Sequence, residues 1–206
     1  METYEVTVKM TFKDKIVNFW YHYKWQTLLV LFIAMVLSVS VVSCVNKPHP
    51  DLTIVFVSQN ALLDKQRLEL KEVMASKISD YNEDGKSLVE IIEIDLLKTN
   101  DTIRSAGVQR LMAELVVAEN YFFMIDDEGY RVLNENKALS DISTLVPNTI
   151  MDNKVLDIPT DKLFFTVSST MPKSYYATIR IYSDDLDKAQ QKSLAASKEL
   201  LINFAK

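Results

Sequence analysis

Acidic and hydroxyl side chains at the ends of predicted strands are the residues of this sequence best suited to chemistry. Ser58, Asp95 and Asp126 each lie at the carboxyl end of an apolar, β-rich run. In open α/β sheets, ligands bind at the carboxyl ends of the strands. We therefore predict that these three residues bind a ligand, with paired-acid hydrolysis as an alternative chemistry. A solvated acidic turn, Asp126–Glu128 leading into Gly129, is the competing interpretation.

Histidine and cysteine are too scarce for most catalytic and metal sites. The two histidines, His22 and His49, lie in and near a predicted membrane segment, and Cys44 is the single cysteine. A serine–histidine–acid triad or a zinc site needs these residue types inside a folded domain. We therefore predict no catalytic residues, no metal and no cofactor, and a protein that is not an enzyme.

The loop Asp80–Gly85 has oxygen ligands at alternate positions before a glycine, as an EF-hand calcium loop does. The twelfth position of such a loop should hold an acid, but Ile91 stands there and Glu90 comes one residue early. Asn, Asp and Gly are also the residues that tight turns prefer. We expect a turn between a helix and a strand, with calcium binding as the alternative.

The overall composition argues against two large classes of function. The 206 residues include only 3 glycines, and the net charge is −5. Phosphate-cradling loops need several glycines close together, and nucleic acid attracts a basic surface. We therefore expect neither a nucleotide-binding loop nor a nucleic-acid partner.

An uncharged apolar segment of 19 residues, 27–45, predicts a single transmembrane helix. It would rise ~28 Å, close to the thickness of the hydrocarbon core of a bilayer. Aromatic rings and a cation crowd its amino-terminal side, as at a membrane interface. The predicted interface residues are Phe19, Trp20, Tyr21, Tyr23, Lys24 and Trp25. Residues 11–25 predict either a helix lying on the inner membrane surface or a solvated tail.

The cations around this segment predict its orientation. Lys9, Lys13, Lys15 and Lys24 precede the segment, whereas only Lys47 follows closely. Because positive charge stays inside, we expect a cytoplasmic amino terminus and an extracytoplasmic remainder at the cell membrane.

This topology divides the chain into four parts, and Cys44 offers one alternative to it. The parts are a cytoplasmic juxtamembrane tail (1–26), a transmembrane helix (27–45), a linker (46–50) and an extracytoplasmic domain (51–206). Cys44 ends a loose lipobox, so the apolar segment is alternatively a signal peptide cut before a lipidated cysteine. Both alternatives tether the domain outside the membrane.

Alternating strands and helices predict an α/β domain. Apolar runs at 52–57, 88–96 and 121–125 predict strands, and helical spacing between them predicts two helices, the second capped by Asn100. This β-α-β-α-β order predicts a mostly parallel sheet covered on both faces.

The pattern is less regular after residue 126. Residues 127–160 predict short helical turns and loops, whereas 163–167 and 174–182 predict strands. Ser183–Asp185 predicts the cap of a closing helix. We expect both phenylalanines of the 163–167 run to lie in the core.

Two parts of the chain resemble known groups of proteins. The run Phe19–Trp25, entering an apolar span after a Lys-rich tail, resembles small uncharacterised single-pass membrane proteins of Gram-positive, clostridial-type bacteria. That resemblance implies no activity. Ala106–Leu115 followed by Tyr121–Asp126 resembles a helix-to-strand passage in one lobe of extracellular solute-binding proteins, which implies a periplasmic-binding-protein-like fold.

These features together predict a membrane-anchored, extracytoplasmic binding or scaffold domain. Its expected partners are the lipid bilayer and a protein or other component of the cell envelope. The alternative is an accessory solute-binding or small-molecule sensing protein that uses the strand ends.

Overall fold

The computed structural model describes residues 11–45, 49–97 and 99–206, which form two compact units. The first unit contains helix α1, and the second begins at His49. The elements in chain order are α1 (Phe12–Val45), β1 (Leu52–Ser58), α2 (Asp64–Ala75), β2 (Val89–Asp95), α3 (Asp101–Val117), β3 (Phe122–Ile125), α4 (Asp127–Glu135), β4 (Leu156–Pro159), α5 (Thr160–Leu163), β5 (Ser174–Ile179) and α6 (Lys188–Ala205).

Helix α1 is one unbroken helix of 34 residues. At 1.5 Å per residue it is about 51 Å long, well beyond the ~30 Å hydrocarbon core of a bilayer. Its stretch Lys15–Val41 is long and apolar enough to cross a membrane. Of residues 11–25, predicted as a surface helix or a solvated tail, all but Thr11 belong to α1, which continues directly into the predicted span. Cys44 lies in α1, whereas residues 1–10 of the predicted tail and 46–48 of the predicted linker are outside the described residues.

The second unit contains a mixed five-stranded sheet in the order β2-β1-β3-β5-β4. Strand β1 pairs in parallel with β2 and β3, whereas β5 is antiparallel to both β3 and β4. The α/β class is confirmed, but the sheet is parallel only in its β2-β1-β3 half. After α4 the chain forms β4 at the outer edge and then returns as β5 between β4 and β3. This return inserts an antiparallel strand.

Each face of the sheet carries a buried apolar layer. Helices α2 and α6 cover one face, with Leu70 and Leu200 in the layer. Helices α3 and α4 cover the other, with Leu111 and Leu133. The inner strands β1 and β3 are therefore buried on both sides, which is why their sequences are almost continuous apolar runs, whereas the edge strand β2 also contains acidic residues.

The two edges of the sheet are β2 and β4. At the β2 edge, Arg110 Nη1 donates a hydrogen bond of 3.1 Å to the carbonyl oxygen of Glu93. Strand β4 ends at Pro159, which has no backbone N–H to offer. Both edges are thus partly blocked.

The predicted strand at 163–167 is wrong. Leu163 ends the short helix α5, and the chain continues as a loop up to β5. Phe164 is buried as expected, but Phe165 is 82% exposed. The apolar residues of 163–167 suit a strand. The backbone N–H of Phe165, however, donates to the Glu69 carboxylate of α2 and not to a neighbouring strand.

Three further details between residues 127 and 190 differ from the prediction. Helix α4 and strand β4 occupy parts of the region predicted as short turns and loops. The closing helix begins at Lys188, after the predicted cap Ser183–Asp185. Its cap is Asp187, whose carboxylate accepts from Gln190 N at 2.8 Å while Gln190 Oε1 accepts from Asp187 N. This reciprocal pair requires a Glu or Gln three residues after the cap, and Gln190 meets this requirement for Asp187.

Candidate functional site

Ser58 and Asp126 meet at the carboxyl edge of the sheet, where β1 and β3 end side by side. Ser58 Oγ donates to Asp126 Oδ2 at 3.2 Å, and Gln59 N donates to the same oxygen at 2.7 Å. Gly129 N donates to Asp126 Oδ1 at 2.9 Å. The two residues are 1% and 3% exposed. Both carboxylate oxygens are therefore engaged within the protein, and the crevice between β1 and β3 is closed.

The local sequence explains why Asp126 turns inward. It is the N-cap residue of α4, which starts directly after β3 without an intervening loop. An aspartate at this position satisfies a free N–H of the first turn, and Asp127 and Glu128 interact favourably with the positive end of the helix dipole. The sequence pattern that predicted an acidic turn is thus the start of a helix.

Asp95 lies on the same edge but apart from the pair. It is opposite Ser58 in the register of β1 and β2, and it forms no hydrogen bond with Ser58 or Asp126. Its buried Oδ1 has no hydrogen-bond partner among the residues that the structure describes. Burial, followed by the charge of Glu93, raises the pKa of this carboxyl group. Ligand binding by Ser58, Asp95 and Asp126 stays a prediction.

A small cavity of about 130 Å³ opens beside the end of β1. Tyr175 lines it from β5 and is fully buried, and its ring packs against Phe56 and Phe164 with centroids 5.1 and 5.9 Å apart. Its buried hydroxyl has no hydrogen-bond partner among the described residues. Burial raises the pKa of Tyr175 to about 12, so the hydroxyl stays protonated at neutral pH. The sequence alone did not predict this unpaired hydroxyl, because the residues around it come from separate segments that meet only in the fold.

The loop 164–173 forms the other wall of the cavity and is held by two buried polar residues of α2. Glu69 Oε2 accepts from the backbone N–H groups of Phe165 and Thr166 at 3.0 and 3.1 Å, and Glu69 Oε1 accepts from Thr166 Oγ1 at 2.8 Å. Gln66 Nε2 donates to Thr166 O at 3.1 Å. Burial would raise the pKa of Glu69, but the hydrogen bonds from Thr166 lower it overall. The carboxylate therefore braces the loop.

Exposed apolar side chains lie on the two segments that line this cavity. They are Leu63, Phe165 and Val167, which we call the carboxyl-edge surface, and each is more than half exposed. Leu63 precedes α2, whereas Phe165 and Val167 lie on the braced loop. Sequence analysis missed this surface because it assigned Phe165 to the core.

A buried ion-pair cluster lies at the start of α4. Glu128, whose side chain is 6% exposed, bonds to Arg131 Nη2 at 2.7 Å and to Arg104 Nη2 at 2.5 Å. The Arg131 hydrogen bond is the main cause that lowers the pKa of Glu128 to about 2, against the opposing effect of burial. Arg131 also contacts Glu135, so its pKa is raised. These contacts tie α3 to α4.

The loop Asp80–Gly85 has the geometry of a tight turn. Asp80 accepts hydrogen bonds from the backbone N–H groups of Glu83, Asp84 and Gly85. The side-chain oxygens of Asn82 and Asp84 likewise accept the backbone N–H groups of Asp84 and Lys86. Among the described residues, no group of three or more His, Cys, Asp or Glu side chains is arranged to hold a metal ion.

No protein-family model matches this chain, and neither a curated protein nor a solved structure shows significant similarity to it. The fold alone therefore defines its class: an α/β protein whose amino-terminal helix is long and apolar enough to anchor it in a membrane.

Proposed function

We propose that this protein is a membrane-anchored, extracytoplasmic domain that binds another protein of the cell envelope through the carboxyl-edge surface. Helix α1 is the anchor. Lys13, Lys15 and Lys24 precede its uncharged part, which supports a cytoplasmic amino terminus. The aromatic run Phe19–Trp25 covers about 9 Å along the helix axis, a depth suited to the headgroup region.

The exposed ring of Phe165 is the observation that carries this proposal. A large aromatic side chain that is 82% exposed has unfavourable contact with water. Its backbone is nevertheless fixed, because Glu69 accepts the N–H groups of Phe165 and Thr166. A preorganised loop loses little conformational entropy on binding, and buried aromatic residues supply much of the affinity of protein interfaces.

Two features of the same edge support a protein partner over capture of a solute. The crevice between β1 and β3 is filled by the Ser58–Asp126 hydrogen bond. The cavity beside Tyr175 measures about 130 Å³, whereas pockets for small-molecule ligands are typically ~300–1,000 Å³. Leu63 and Val167 add further exposed apolar side chains on the two segments that line the cavity, and apolar side chains form the centre of protein interfaces.

Site-specific photocrosslinking in intact cells tests the proposal. A photoreactive phenylalanine analogue is placed at Val167, next to Phe165, and separately at Leu68 of α2. Leu68 is a matched control because it is also a solvent-exposed apolar residue, 62% exposed, outside the carboxyl-edge surface. We expect a protein adduct of defined mass from position 167 and none from position 68.

The crosslinked protein is then identified by mass spectrometry, purified, and titrated against the full-length chain in detergent micelles. Phe165→Asp is expected to weaken binding roughly 30-fold or more, as for an interface hot spot, whereas Leu68→Asp leaves it unchanged. Equal adducts from both positions, adducts with lipid alone, or equal affinity of the Phe165→Asp chain would refute the proposal.

A further inference from the structure

The cavity beside Tyr175 combines an apolar wall with an unused hydrogen-bond donor. Leu62 and Met171 contribute apolar side chains, and Asn60 adds an amide that forms no side-chain hydrogen bond among the described residues. The Tyr175 hydroxyl is buried and without a partner in the described part of the chain. A buried polar group in this state is unusual, because an unmade hydrogen bond in the interior costs free energy.

The remaining polar groups around the cavity are already occupied. Gln66 Oε1 accepts from Leu63 N at 3.0 Å, and Gln66 Nε2 donates to Thr166 O and Met171 Sδ. The hydroxyls of Ser168 and Thr170 bond to each other at 3.0 Å. These contacts fix the walls and leave the Tyr175 hydroxyl and the Asn60 amide to meet a ligand.

We propose that this cavity receives one uncharged side chain of the bound protein, with an amide or hydroxyl oxygen that accepts a hydrogen bond from Tyr175. The inference rests on the proposed function, because it assigns the partner group that enters beside Phe165. A volume of about 130 Å³ holds a single side chain and excludes larger ligands.

The charges near the cavity favour an uncharged group. After burial, which raises the pKa of Tyr175, the nearby Ser58 hydroxyl lowers it, and the negative charges of Asp126 and Glu93 raise it. A carboxylate or phosphate entering the cavity would meet the same negative potential and would also lose its hydration. A neutral amide oxygen accepts a hydrogen bond from the Tyr175 hydroxyl without charge repulsion and with a smaller loss of hydration free energy.

Larger grooves elsewhere on the second unit lack a comparable buried, unpaired hydrogen-bonding group. Grooves of about 450 and 380 Å³ involve Gln190, and no residue lining either of them has an orphan buried side-chain atom in the described part of the chain. A groove of about 510 Å³ includes Arg104, whose Nε is an orphan, but its side chain is 36% exposed and pairs with Glu128. The Tyr175 cavity is therefore the better candidate.

Methionine NMR of the full-length chain in detergent micelles provides the test. Met171 lines the cavity, whereas Met74 is buried on α2 and serves as the reference methyl group. The probes are butyramide, which matches a glutamine side chain, and butyrate, its charged counterpart. We expect butyramide to shift the Met171 methyl resonance saturably, without moving Met74, and to bind at least threefold more tightly than butyrate.

Two variants complete the test. Tyr175→Phe keeps the ring and should weaken butyramide binding roughly fivefold, the effect of losing one neutral hydrogen bond. Ala61→Phe, a change at a cavity-lining residue, should abolish the Met171 response by filling the space. No Met171 shift, equal binding of both probes, or unchanged binding to the Tyr175→Phe chain would overturn the inference.

The outcomes separate this inference from the proposed function. Butyramide binding without a protein adduct at Val167 would support the cavity as a binding site and contradict the proposed protein partner. An adduct at Val167 with no Met171 response would support the protein partner and contradict binding of its side chain in the cavity.

Discussion

Ser58 donates a hydrogen bond to Asp126 across 68 residues of sequence, at the point where two parallel strands end together. The same carboxylate accepts the backbone N–H groups of Gln59 and Gly129. Asp126 therefore joins the end of β1, the end of β3 and the start of α4 through one side chain.

Replacement of Asp126 by alanine should destabilise the second unit by about 2–4 kcal/mol. The change removes a helix cap and leaves the buried Ser58 hydroxyl and Gln59 N–H without their acceptor. Urea unfolding of the full chain in micelles, followed by near-ultraviolet circular dichroism, measures this. Asp157→Ala, at an exposed aspartate of β4, is the control and should change stability by less than about 0.5 kcal/mol. Equal effects of the two variants would contradict the role assigned to Asp126.

The Glu128 cluster should make stability depend on acid pH. Because the pKa of Glu128 falls from 4.5 to about 2 on folding, its contribution is complete above about pH 4.5 and is lost as the pH falls towards 2. Solvent screening of the two part-exposed arginines limits the effect to about 2 kcal/mol. Urea unfolding between pH 2 and 6 should show the advantage of the native chain over Glu128→Gln shrinking across this range. If the free energies of unfolding of the two chains differ by the same amount at every pH, the ionised Glu128 does not contribute the stability proposed here.

Alanine at either of two glycines should destabilise the second unit, but by different amounts and for different reasons. Ala is favoured over Gly by ~1 kcal/mol inside a helix, but a Cβ at Gly107 in α3 would overlap the carbonyl oxygen of Asp95. We expect Gly107→Ala to destabilise by about 3 kcal/mol. Gly85 has open space around it and φ of +82°, so Gly85→Ala should cost only about 1 kcal/mol of backbone strain. A stabilising Gly107→Ala change, measured by urea unfolding, would show that α3 packs less closely.

Loss of the Glu69 brace should loosen the loop that carries Phe165. In Glu69→Ala, the N–H groups of Phe165 and Thr166 lose a charged acceptor, and we expect their hydrogen exchange to accelerate at least about tenfold. Exchange in β1 should not change. Lys65→Ala is the control, because Lys65 is exposed and its amino group lies 3.8 Å from Glu69. Unchanged exchange at Phe165 would mean that other contacts hold the loop.

Local patterns in the sequence were sufficient for the parallel half of the sheet. Strands β1 and β3 are apolar runs that are almost wholly buried, whereas the edge strand β2 also contains Glu90 and Glu93. Asn100 caps α3 as its position predicted. Strand β4 has only four residues, including Asp157 and Pro159, so no run marked it. Strand β4 forms by pairing with β5, and this pairing cannot be predicted from the local sequence.

The surface around Phe165 was beyond sequence analysis for a related reason. Phe164 and Phe165 are adjacent and chemically identical, yet one is buried and the other exposed. Phe164 has an extended backbone, which directs successive side chains to opposite sides. Glu69, 96 residues away, holds the loop in place by accepting the N–H of Phe165. Ser58, Asp95 and Asp126 were placed on the correct edge because parallel strands end at the same side, but their hydrogen-bond partners were not predictable from that rule.

The partly blocked edges of the sheet would matter for a domain tethered by the proposed membrane anchor. A membrane anchor raises the local concentration of identical domains, and open strand edges under such crowding recruit one another into intermolecular β-structure. Arg110 on the carbonyl of Glu93 interrupts one edge, and Pro159 interrupts the other. Under the proposed membrane anchoring, these two features would limit edge-to-edge pairing between neighbouring copies of the domain.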